Sequence, residues 1–204
     1  NPAVQDRGHR CLVADKQCKL CTSGRYSTKT GLDSNDQCIL CSEGKFSTEE
    51  GKDSNCTDNC PPGTFSNTTG LSASAECEKC PGGKFSKDLG AIFCAGKCPA
   101  GKFSDEIGFD SETLCVKKCT AGKYSDTSGI DSDSLCKKCS AGKFSNKKGL
   151  VSDSNCDGYC SLGKWSNETG LTSDEDCIGR CSAGRFGSST GLSADEDCNP
   201  CSAG

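Results

Sequence analysis

Cys21-Thr22-Ser23-Gly24-Arg25-Tyr26-Ser27, followed by Gly31-Leu32, Ser34 and Cys38, is a phrase that this chain writes nine times. Further copies open at Cys41, Cys60, Cys80, Cys98, Cys119, Cys139, Cys160 and Cys181. The period is about 20 residues, and a fixed period of that length marks an array of equivalent modules. The boundaries read 21–40, 41–59, 60–79, 80–97, 98–118, 119–138, 139–159, 160–180 and 181–200. Before them lies a segment, 1–20, with Cys11 and Cys18, and after them residues 201–204 begin a truncated tenth copy. An array of equivalents is a poor setting for one catalytic centre.

Composition explains why the modules carry so much cysteine. Of 204 residues 21 are cysteine, while only 32% are hydrophobic, cysteine included. A unit this small cannot bury enough apolar surface to fold unaided and needs staples. The expected fold is a small disulfide-rich repeat protein: an elongated rod of about nine 20-residue single-disulfide modules, mostly coil with short β-strands. Gly-Lys-Phe-Ser segments suit a short strand in a small hairpin, and Leu-x-Ser-x-x-x-Cys segments suit one helical turn.

Connectivity does not follow from sequence alone. If the modules are equivalent, the simplest scheme joins the ends of each: Cys21 with Cys38, Cys41 with Cys56, Cys60 with Cys77, Cys80 with Cys94, Cys98 with Cys115, Cys119 with Cys136, Cys139 with Cys156, Cys160 with Cys177, and Cys181 with Cys198. Cys11 then pairs with Cys18, and Cys201 is left unpaired within the chain. The rival is zinc, because Cys18-x2-Cys21 followed by Cys38-x2-Cys41 has the spacing of a four-cysteine site. Quartets would make odd and even modules differ, and the spacers of two or three residues show no such alternation.

Two glycines recur in every module, one three residues after the opening cysteine and one seven further on. They read as backbone positions needing positive φ or close approach. One aromatic recurs as well: Tyr26, Phe46, Phe65, Phe85, Phe103, Tyr124, Phe144, Trp165 and Phe186. These rings are expected to pack between repeats, each covering its own disulfide and touching the next unit. The alternative is an exposed ladder for glycan or protein. A Lys or Arg precedes the ring in all repeats but the one with Thr64, and is expected to lie along a neighbour or to pair with an adjacent repeat's acids.

Disulfides point to an oxidising compartment, outside the cell or at its surface. Three N-glycosylation sequons agree, at Asn55, Asn67 and Asn167, the last two at the same place in their repeats. Covalent glycans are therefore expected, and no other cofactor. No stretch reaches the apolar length of a membrane span, and Asn1-Pro2-Ala3-Val4 does not read as a signal peptide. A net charge of −4 argues against nucleic acid as partner. Acidic clusters such as Asp131-Ser132-Asp133 lack the ligand order of a calcium loop. His9 is the only histidine, and no nucleophile–base pair stands apart from the repeat, so an enzyme is not expected.

The motif, written best as Cys60-Pro61-Pro62-Gly63-Thr64-Phe65-Ser66 and Cys98-Pro99-Ala100-Gly101-Lys102-Phe103-Ser104, resembles the ephrin-receptor-like cysteine-rich repeats. It is also similar to the first half-module of tumour-necrosis-factor-receptor cysteine-rich domains. That resemblance implies the Cys98–Cys115 pairing. The differently bridged second half-module of those receptors is missing. Long uniform arrays of this kind look like those of large surface and flagellar-hair (mastigoneme) proteins of protists. The resemblance implies an extracellular structural fibre whose partners are copies of itself or further repeats of a longer chain. The alternative is a receptor or adhesion ectodomain; its candidate site is the shortened Cys80–Cys94 repeat with Ala91-Ile92-Phe93, and Phe109 nearby.

Overall fold

The computed structural model of the chain describes residues 19–29 and 31–202. The pairing expected for Cys11 with Cys18 lies outside them. The described part is nine consecutive single-disulfide modules, mostly coil, each with one pair of two-residue antiparallel strands. Nine disulfides join the first and last cysteine of each module, from Cys21–Cys38 to Cys181–Cys198. Cys201 is free and exposed.

Within a module the chain turns at the first glycine and runs out through the Lys-aromatic pair as the first strand. The second strand is the short stretch between closing and next opening cysteine. Lys123–Tyr124, for example, pairs with Lys137–Lys138, with Tyr124 opposite Lys137. What sequence suggests is a linker is therefore half of a hairpin. The next opening cysteine completes it: the Cys139 N–H donates to the Gly122 carbonyl at 2.9 Å. Between the strands, most modules insert one turn of 3-10 helix just before the closing cysteine, such as Asp133–Leu135 and Asp174–Asp176. The two modules without such a turn among the described residues are those whose cysteines are closest in sequence, 15 apart in Cys41–Cys56 and 14 in Cys80–Cys94. Their loops have lost the residues that would form it.

The chain divides into two compact units. One runs up to Pro81 and includes Phe85–Gly96 and Ile107–Ser111; the other comprises Gly82–Lys84, Lys97–Glu106 and Glu112 onward. Inside each, successive modules stack by one rule. In the second unit the Gly122 N–H donates to the Ser145 carbonyl (2.8 Å), the Ser125 N–H to the Leu150 carbonyl (2.9 Å), and the Gly149 N–H to the Cys119 carbonyl (2.8 Å). In the first unit Gly44, Ser47 and Gly70 repeat these bonds with Ser66, Leu71 and Cys41. Parallel bridges Phe46↔Leu71 and Tyr124↔Leu150 lie between them. Backbone groups that short strands leave open are thus satisfied by the following module.

Sulfur dominates the interior: most of the fully buried side chains are half-cystines. Each small cluster combines one disulfide, the apolar residue after the second glycine of the same module, and the ring of the preceding module. Phe46 covers Leu71 and Cys60–Cys77, and Tyr124 covers Leu150 and Cys139–Cys156. Phe103 and Phe144 do the same for the modules that follow them. The ring therefore covers the next repeat's disulfide instead of its own, because the parallel bridge sets it beside the next module's Leu position.

Candidate functional site: the stacking face and its exposed departures

The contact that interlocks the array reaches two modules along. Gly24, Gly44, Gly63, Gly83, Gly101, Gly122 and Gly142 all have φ between 73° and 81°. A Cβ on any of them would fall within 3 Å of the carbonyl oxygen of a second glycine two modules on; for Gly83 that oxygen is on Gly129, at 2.5 Å. Glycine is required here twice over, by the left-handed backbone and by the approach of another backbone. Gly163 and Gly184 share the positive φ but have nothing within 4 Å. A side chain seals each two-module contact from outside. The aliphatic stems of Lys97, Lys118 and Lys138 lie over Gly129, Gly149 and Gly170, and Leu40 lies over Gly70 in the first unit.

In three repeats of the second unit the cation before the ring pairs with an acid of its own module, where an adjacent repeat was expected. Lys123 pairs with Asp133 at 2.5 Å, Lys143 with Asp153 at 2.7 Å and Lys164 with Asp174 at 2.6 Å. Each acid opens the 3-10 turn and also accepts the N–H of the residue after the opening cysteine, as Asp174 does from Ser161 at 2.7 Å. The disulfide ring folds the chain back so that residues ten apart meet. Lys164, with the Ser161 amide and hydroxyl behind it, holds the Asp174 carboxyl down at about 2. A depressed carboxylate pKa stabilises the fold above the unfolded value near 4, and that contribution is lost as pH falls through the folded value. Acid titration followed by NMR is expected to leave the Ser161 amide shift nearly constant down to about pH 3 and to move it through a midpoint near pH 2.

The serine after the ring has a role that the sequence reading missed. Ser47, Ser66, Ser125, Ser145 and Ser166 are buried, and their hydroxyls accept the N–H two residues on, as in Thr68 to Ser66 at 3.2 Å. This fixes the turn into the next loop. Its recurrence in every repeat except at Gly187 was the available signal.

The other residues singled out from sequence are placed as follows. Asn55, Asn67 and Asn167 are all exposed. Phe109 is buried, doing the work of a leucine beneath Phe85, whereas Phe93 is 62% exposed. The two do not form one exposed aromatic pair. Cys119, Asp133 and Cys136 come together, but the sulfurs are bonded to each other and Asp133 holds Lys123 and Thr120. Cys21 and Cys41 are likewise committed to Cys38 and Cys56, so the zinc quartet has no thiolates to offer there. Among the described residues no helix is long and apolar enough to cross a membrane.

No protein-family model and no curated protein matches this chain.

Proposed function

We propose that this chain is an extracellular structural protein: a glycosylated, disulfide-stapled repeat array that forms part of a filament, stalk or surface appendage. The observation that carries this reading is the use of the residues. Each motif position serves stapling, turning or stacking, and the same set recurs in module after module. Nine disulfides, eight of them with both half-cystines buried, belong to an oxidising compartment. The likeness to ephrin-receptor-like repeats and mastigoneme-type fibre proteins rests on the motif residues. Glycans belong on Asn55, Asn67 and Asn167, all of them exposed.

The receptor or adhesion reading has one observation in its favour: Leu89, Ile92, Phe93 and Ile107 are all exposed in the shortened repeat and the one after it. It lacks the Phe93–Phe109 surface that would have strengthened it.

The test is the mass of native protein before and after glycan removal, with surface biotinylation of the intact cells that make it. Glycan on the sequons Asn55, Asn67 and Asn167, with labelling from outside, is the expected result. An unglycosylated chain found only inside the cell overturns the reading.

A further inference from the structure

The stacking register places a sequon beside the barest apolar surface of the first unit. The Ser66 N–H donates to the Ala91 carbonyl at 3.0 Å, the same bond that Ser47 makes to Leu71 beside the parallel bridge Phe46↔Leu71. Asn67 of the third module is the residue after Ser66, and Ile92-Phe93 of the fourth follow Ala91 directly, so this one bond brings the two segments together. There the loop is short and has no 3-10 turn, and Ile92 and Phe93 are left 43% and 62% exposed, with Leu89 at 67%.

The sequon at the same place in the eighth repeat provides the contrast. Asn167 follows Ser166, whose N–H donates to the Leu192 carbonyl at 3.2 Å. The residues that follow Leu192 are Ser193 and Ala194, half-buried and without a large apolar side chain.

We infer that the N-linked oligosaccharide on Asn67 is the cover of the Ile92–Phe93 surface. Asn67 is exposed, and an oligosaccharide on its amide is long enough to span the residue or two between it and Ile92-Phe93. Pyranose rings present C–H faces that lie flat on aromatic and aliphatic side chains, while their hydroxyls stay in water. Contiguous exposed apolar surface is a liability in a protein at high local concentration, and a tethered sugar removes it without a partner chain. Tethering supplies the sugar at high effective concentration, so a weak contact suffices. The glycan on Asn167 has nothing to cover and stays free.

This rests on the secreted, glycosylated reading above, and the experiment separates the two. The secreted glycoprotein is compared with its Asn67→Gln, Thr69→Ala and Asn167→Gln variants by fluorescence of the apolar-surface dye ANS and by hydrogen exchange at residues 89–93. Asn67→Gln and Thr69→Ala remove the same glycan by different changes. Both are expected to raise dye fluorescence about twofold or more and to speed exchange, with Asn167→Gln indistinguishable from the parent. Adding Phe93→Ser to Asn67→Gln restores the parent signal. Glycan present on Asn67 with no rise when it is lost, or an equal rise in Asn167→Gln, overturns the inference and leaves the structural role standing. Absence of glycan from Asn67 alone overturns the inference, and absence from all three sequons overturns the two together.

Discussion

Gly122→Ala is expected to destabilise the modules around it by about 2–5 kcal/mol, and Gly184→Ala by only about 1 kcal/mol. Both positions have positive φ, 75° and 83°, so the backbone strain of an added Cβ is common to them. The difference is what the methyl meets. At Gly122 it meets the Gly170 carbonyl oxygen, with the Gly170 carbonyl carbon at 2.8 Å and the Leu171 oxygen at 3.0 Å. None of these is the tip of a flexible side chain, so the two modules must part. Parting them also loosens the Lys138 stem over Gly170. At Gly184 the methyl enters open space. Native-state hydrogen exchange reads the effect locally: the Ser145 and Gly170 amides, protected in the parent, should exchange far faster in Gly122→Ala and hardly change in Gly184→Ala. Equal effects would mean that the two-module contact contributes nothing.

Reduction is expected to unfold the chain altogether under otherwise native conditions. A disulfide closing a loop of this size is worth on the order of 3 kcal/mol, and there is little else to take over. A large apolar residue is buried in only six of the nine modules, at Leu71, Phe109, Ile130, Leu150, Leu171 and Leu192, and Leu71, Ile130, Leu150 and Leu171 rest on the disulfide of their own module. Trp165 reports the event. It is the only tryptophan, its indole N–H donates to the Arg180 carbonyl at 3.1 Å, and its ring fills the space over Gly179. Reductant should shift its emission to the red as amide protection collapses throughout. Retention of both in fully reduced, alkylated protein would show that backbone stacking alone holds the modules.

Much of this architecture was legible in the residues, and what was hidden has a common cause. Cysteine spacing marks the modules, and the paired glycines announce their positive φ by recurring. The ring could be recognised as packing, but not the disulfide it covers, since that depends on the parallel offset between modules. Lys164 and Asp174 stand ten residues apart, and only the closed disulfide ring brings them together. The two-module contact is backbone against backbone, so no side chain records it beyond glycine itself. Ile92 and Phe93 stood out as departures, and the Ser66–Ala91 bond shows which neighbour they have.

The central claim is an array of self-contained disulfide modules, and a non-reducing peptide map tests it most directly. Lys79, Lys97, Lys118 and Lys138 each lie between a closing cysteine and the next opening one, so tryptic cleavage separates the fourth, fifth and sixth modules from their neighbours. The account predicts cross-linked peptides joining Cys80 to Cys94, Cys98 to Cys115 and Cys119 to Cys136, with none of these cysteines bridged to another module. Bridges between modules, or free thiols at these cysteines with zinc retained by the protein, would contradict it.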